Sequence, residues 1–136
     1  MKTAARDALR DRLADHHRLL EVAVGNRTDL AAALVAAGHD VLAVDVADCP
    51  VPEAVAFRRA DVASLDPKAV GLRDAVYALN LPPELHRSTA DLAAALGCPL
   101  LFTTLGFDEP TVPVARESLP AGETLYVHRP GAGPDG

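Results

Sequence analysis

Tryptophan is absent from this 136-residue chain, which holds three phenylalanines and two tyrosines. So few aromatics leave little material for a surface that stacks several bases. They also require a core built from alanine, valine and leucine, for which an apolar content of 49% suffices. Cysteine is scarce too: Cys49 and Cys98 lack any CxxC partner, so neither a zinc site nor a disulfide framework is indicated. Free thiols in a reducing cytosol are the expected state. His16 and His17 have no third ligand at metal spacing, so no metal site is expected. No apolar run is long enough to span a bilayer. The opening Met-Lys-Thr-Ala-Ala-Arg-Asp reads as a charged helix start rather than a signal peptide, and the expected location is cytoplasmic, with no membrane partner. A GK[ST] phosphate loop is missing, as is any Ser-His-Asp or Cys-His order for nucleophilic catalysis.

Lysine occurs only as Lys2 and Lys68, and the net charge is −6. That balance makes nonspecific nucleic-acid binding an unfavoured function. Aspartate outnumbers glutamate and arginine outnumbers lysine, a bias found in salt-adapted, GC-rich archaea and equally produced by codon usage alone.

What is present begins with Leu19-Leu-Glu-Val-Ala-Val-Gly-Asn26. This is a buried strand ending in an acid, a small residue and a glycine. Thr28 to Ala37 follows as a helix, with Thr28 as its cap, Asp29 at its positive end and Gly38 as its stop. Asp40 to Val46 is a second strand, and it delivers Asp45 twenty residues after Gly25. At that spacing a Rossmann-type βαβ unit presents an acid to a ribose. Upstream, Thr3 to Arg18 carries Ala5, Leu9, Leu13 and His16 or His17 at helical spacing.

Further along, Cys49-Pro-Val-Pro-Glu53 is a proline-broken loop, Val55 to Arg59 a third strand and Ser64 to Val70 a short helix. Asp74 to Leu79 is a fourth strand. Pro83 starts a helix that Gly97 stops, and Leu100 to Thr104 is a fifth strand. Val112 to Glu117 and Glu123 to His128 flank Leu119-Pro-Ala-Gly122 as a hairpin. The expected fold is α/β: a Rossmann-like three-layer sandwich, mostly parallel, closed by a C-terminal antiparallel hairpin. Residues 1–129 are read as a single domain and 130–136 as a disordered tail.

The positions where a dinucleotide loop carries three glycines hold Ala23, Gly25 and Thr28, which disfavours a pyrophosphate ligand. S-adenosylmethionine has no phosphate and tolerates a looser loop. Glu21-Val-Ala-Val-Gly25, Ala43-Val-Asp45, Arg59-Ala-Asp61-Val62 and Asp74-Ala-Val-Tyr-Ala-Leu-Asn80-Leu-Pro-Pro83 stand in the order of class I methyltransferase motifs. With the Pro-Pro-Glu-Leu-His86 run, the chain resembles an archaeal family of truncated methyltransferase-like proteins, uncharacterised protein family 0146.

The resemblance implies a Rossmann-like fold and no demonstrated reaction. It points to Glu21, Ala23, Gly25, Asn26, Asp45, Val46, Asp61, Val62 and Asn80 as cofactor-side residues. In this reading Glu21 organises the glycine loop by accepting backbone N–H bonds, or is simply a buried acid satisfied by neighbours. Asp45 holds a ribose or caps a turn, and Asp61 is placed between the same alternatives. Asn80 falls where amino-methyltransferases accept an amine's hydrogens, but Leu81 and Glu84 depart from that pattern and argue against base methylation. The alternative is a helix start stiffened by two prolines. His86 is a candidate general base or a packing residue, and Arg27 attracts an anionic substrate or is solvated. The family's usual glycine is replaced by Ala23, and Leu105 to Pro113 offers no helix after the fifth strand. Three functions stay open: a methyltransferase-like domain that binds S-adenosylmethionine, a non-catalytic interaction or regulatory domain on a degenerate Rossmann scaffold, and an NAD-type nucleotide-binding module; the partner is a small molecule or a protein.

Overall fold

The computed structural model describes residues 1–131. The tail expected to be disordered lies outside the described residues, apart from a turn at Pro130 and Gly131. Among the described residues, seven strands form one sheet: β1 (Arg18–Val22), β2 (Asp40–Asp45), β3 (Ala56–Arg59), β4 (Ala75–Ala78), β5 (Leu100–Phe102), β6 (Ala115–Ser118) and β7 (Thr124–His128). Their order is β3-β2-β1-β4-β5-β7-β6. The first five are parallel, and β7 and β6 close the sheet as an antiparallel hairpin. The fold is the Rossmann-like α/β sandwich that the alternation of strands and helices predicts.

Burial explains the layering. Side chains on successive strand residues point to opposite faces, and the apolar strand runs serve both. Leu19, Ala75, Tyr77, Leu101 and Val127 face one layer, formed by α1 (Thr3–Leu13) and α2 (Asp29–Ala36). Leu20, Val22, Val76, Ala78, Leu100 and Phe102 face the other, formed by α3 (Pro83–Leu96) and a 3-10 turn at Pro67–Val70. Covered on both faces, β1 and β4 have no need of polar alternation.

Several boundaries depart from the sequence reading. Helix α1 stops at Leu13, leaving His16 and His17 in the turn before β1. There the Asp74 carboxylate accepts the backbone N–H groups of Arg18 (2.8 Å) and His17 (3.2 Å), which commits the chain to strand. Thr28 occupies the cap position of α2, but its side chain makes no capping bond. The short helix before β4 is only the 3-10 turn; the Asp66 carboxylate caps it by accepting from the Lys68 N–H at 2.9 Å. Pro83 and Gly97 bound α3 as expected, with Gly97 at φ 72°.

Two segments that contain no helix set the shape of the ligand end. The stretch between β2 and β3 is a loop whose Cys49, Val51 and Val55 pack against the α1–α2 layer. The stretch between β5 and β6 is also a loop, anchored by Val112 and Val114 against the α3 layer. Because the chain runs outward from β1 to β2 and β3 and then returns to β4, the topology switches between β1 and β4. A crevice at their carboxyl ends is the standard ligand position for this architecture.

Candidate functional site

Asp45 ends β2, and its carboxylate reaches across to the loop after β1. Its Oδ2 accepts the Gly25 N–H at 2.9 Å and its Oδ1 the Ala47 N–H at 3.0 Å. Each oxygen keeps a further lone pair for a ligand hydroxyl. The loop itself turns through two left-handed residues, Ala23 at φ 59° and Gly25 at φ 56°. Ala23 therefore takes the conformation a glycine would supply, at a cost of about 1–2 kcal/mol. At Gly25 the demand is conformational rather than steric, since a Cβ there would meet nothing within 4 Å.

Beside this loop is a shallow cavity of about 50 Å³, lined by Ala23, Asp45, Val46, Asp61, Val62 and Leu85. Val46 is exposed and Val62 buried, so together they offer an apolar slot edge to edge with the Asp45 carboxylate. Asp61 caps its own turn, accepting the Ala63 N–H at 3.0 Å. Asn26 is exposed beside Gly25 and makes no side-chain hydrogen bond among the described residues.

On the other side of the loop, a larger cavity of about 650 Å³ opens between α1, Arg27, the end of β4 and the end of β5. Asn80 joins it to the crevice. This residue is left-handed at φ 50° and donates its backbone N–H to Thr103 Oγ1 at 2.8 Å. With its amide turned so that both ends find partners, the nitrogen would donate to the Thr104 carbonyl at 3.3 Å and the oxygen would accept from the Arg27 guanidinium, from Nη2 at 3.1 Å. Arg27 and Asn80 thus bridge the ends of β1 and β4.

Two candidates are engaged by their own neighbours. Glu21 makes no hydrogen bond to the glycine loop among the described residues. It points into the α1–α2 layer, only 1% exposed, where Tyr77 Oη donates to its Oε1 at 2.7 Å and Oε2 has no partner among the described residues. Burial pushes its carboxyl up from 4.5 to about 8, against the opposing effect of the Tyr77 bond. Burial and the neighbouring Glu21 carboxylate likewise raise Tyr77 well above the ordinary phenol range.

His86 is fully buried, away from the crevice. Its Nδ1 accepts the Thr111 N–H at 3.1 Å, which leaves Nε2–H to donate to the Leu81 carbonyl at 2.9 Å. The ring also packs on Phe102, with centroids 4.8 Å apart. With both nitrogens occupied, it has no free atom to take a substrate proton. The Pro-Pro-Glu-Leu-His run is a packing device: it starts α3 and ties the loop after β5 to it.

Sequence reasoning missed Tyr77 and Thr103 as partners. The register that puts Tyr77 opposite Glu21 was the available signal. Among the described residues, no cluster of three or more His, Cys, Asp or Glu side chains is placed to hold a metal. Among the described residues, no helix is long and apolar enough to cross a membrane.

The sequence profile of the uncharacterised protein family UPF0146 matches residues 6–130. The chain belongs to that family. A UPF0146 protein of Halobacterium salinarum is 44% identical over 117 residues, covering 86% of this chain and 91% of the relative. Among solved structures, an RNA methyltransferase from Salinibacter ruber in complex with S-adenosyl-L-homocysteine superposes with a TM-score of 0.61 at 18% identity, covering 100% of this chain and 97% of that one. The 1,6-didemethyltoxoflavin-N1-methyltransferase of Burkholderia thailandensis, with bound S-adenosylhomocysteine, gives a TM-score of 0.55 at 22% identity. This UPF0146 chain is covered to 95% in that match but spans only 61% of the enzyme. At these identities the likeness establishes a methyltransferase-like fold for this UPF0146 member.

Proposed function

We propose that the crevice between β1 and β4 binds S-adenosylmethionine. The observation that carries this reading is the Asp45 carboxylate, held by the Gly25 and Ala47 N–H groups where ribose hydroxyls can share it. Val46 and Val62 supply an apolar slot for the base, and the loop lacks the glycines a pyrophosphate needs. The bound neighbours of the same fold support the same ligand. When bound, S-adenosylmethionine supplies an electrophilic methyl group. The chain's own contribution is to orient cofactor and acceptor, with Asn80 at the junction of the two cavities. No general base is assigned, since His86 is sealed in the core, so the fitting acceptor is one that reacts without losing a proton first.

Calorimetry with S-adenosylmethionine and S-adenosylhomocysteine tests the reading. Saturable binding is expected, weakened roughly 10- to 100-fold by Asp45→Asn, as a charge-assisted hydrogen bond implies. No binding of either compound at millimolar concentration would sink it.

A second reading, a non-catalytic interaction domain on this scaffold, is favoured by one observation. The cavity beside Asp45, with Ala23 in its lining, measures only about 50 Å³. Co-purification of a protein partner with an empty crevice would support it.

A further inference from the structure

The 650 Å³ cavity beside the crevice has Lys2 and Arg27 in its lining. The chain carries a net −6, and most of its arginines sit on carboxylates, Arg12 on Glu117 and Arg18 on Asp74 among them. Arg27, like Arg58, Arg59 and Arg129, has no acidic partner among the described residues. It lines the cavity with Lys2, against Glu123 as the one acid of the lining. Its guanidinium instead lies against the neutral side-chain amide of Asn80. A guanidinium prefers an anion, because the charge-assisted bidentate pair is the stronger one. Leu9, Leu79 and Ala5 supply an apolar floor, and the volume lies within the range of small-molecule sites.

We infer that this cavity takes a small organic anion, a carboxylate or a phosphate ester. Its acidic group is seated by Arg27 with Lys2 nearby, and its carbon skeleton lies on the α1 floor. The inference rests on reading the adjacent crevice as the cofactor site and names the class of molecule on the acceptor side. Anion binding draws Arg27 off Asn80. The Asn80 amide oxygen is then free at the junction of the two cavities, so the acceptor's own charge prepares the position where it meets the cofactor. A nucleic acid fits poorly in this account, because Lys2 and Arg27 are only two cations on a molecule of net charge −6.

Succinate and inorganic phosphate are the probes, titrated at constant ionic strength into 15N-labelled protein with and without saturating S-adenosylhomocysteine. Shifts confined to Arg27 Nε–H and the Asn80 side-chain amide, saturating in the millimolar range or below, are expected. Arg27→Gln should weaken binding at least tenfold, while Arg27→Lys retains most of it. The stronger of the two probes distinguishes a carboxylate from a phosphate ligand. Equal, non-saturating shifts at Arg58, Arg59 and Arg129 would overturn the inference. So would loss of anion binding on saturation with S-adenosylhomocysteine, since Arg27 would then serve that compound's own carboxylate. If the anions bind at Arg27 but S-adenosylmethionine and S-adenosylhomocysteine do not bind at all, the cofactor reading fails and the anion site stands. If they bind and no anion does, the reverse holds.

Discussion

Tyr77 donates its hydroxyl to Glu21 at 2.7 Å inside the α1–α2 layer, and the second carboxyl oxygen of Glu21 has no partner there. The two residues are neighbours across β1 and β4, directly below the crevice. A carboxylate so placed is poorly compensated, and the protonated acid is the favoured form near neutral pH, with its carboxyl raised to about 8.

A pH dependence of stability follows. In the unfolded chain Glu21 ionises near 4.5, and in the fold near 8. Between those values the folded state holds a proton that the unfolded state has released. Stability therefore falls as pH rises through that window, by at most about 1.4 kcal/mol per unit, and levels off above it. Glu21→Gln keeps an acceptor for Tyr77 and removes the titration. Its melting temperature relative to the wild type should climb between pH 5 and pH 8. A constant difference across that range would show that Glu21 is ionised throughout.

Ala23 occupies φ 59°, where a side chain is strained and glycine is not. Ala23→Gly should stabilise the protein by about 0.5–1 kcal/mol, the relief outweighing the added freedom of the unfolded chain. It also removes a methyl from the lining of the cavity beside Asp45. Urea unfolding and calorimetry with S-adenosylhomocysteine check the two effects, which should appear together as higher stability and tighter binding.

His86→Ala deletes a fully buried ring and leaves the Leu81 carbonyl and the Thr111 N–H without partners. The expected loss is about 3–5 kcal/mol. Hydrogen exchange at the Thr111 amide should accelerate more than exchange in β1. Wild-type stability for this variant would contradict the packing role.

Arg12 grips Glu117 through two bonds, Nε to Oε1 at 3.0 Å and Nη2 to Oε2 at 2.9 Å, and so fastens α1 to β6. The Arg12 hydrogen bond holds the Glu117 carboxyl below its ordinary value. The pair's contribution is therefore present above the usual glutamate range and is lost as pH falls through the lowered value. Arg12→Ala should cost about 0.5 kcal/mol at neutral pH, since both partners are partly solvated, and less in high salt. Melting temperatures at two salt concentrations measure it.

The layered α/β fold was legible in the chain because its signals are local. Uninterrupted apolar runs marked the strands buried on both faces. Pro83 and Gly97 bounded a helix by their backbone geometry alone, and the interval from Gly25 to Asp45 placed an acid at the end of the second strand. These features need only neighbours in sequence or the length of one βαβ unit. The same locality explains the overextended first helix, since periodicity cannot see the Asp74 carboxylate that ends it from 57 residues away.

Side-chain roles were decided only by the tertiary structure. Glu21 and Tyr77 lie 56 residues apart, and His86 meets Thr111 across 25. Whether a buried acid serves a ligand loop or a neighbouring strand depends on which face of the sheet it occupies and on what stands opposite in register. Glu21 stayed open between the glycine loop and its strand neighbours, and His86 between a base and a packing residue, because neither residue type reveals its direction. Arg27 and Asn80 meet only because the sheet places β1 beside β4, bringing together two loops that the chain keeps far apart. The sequence alone determined the sheet and the order of its elements. Packing across non-adjacent segments decided which polar groups at the strand ends are already satisfied and which are left open.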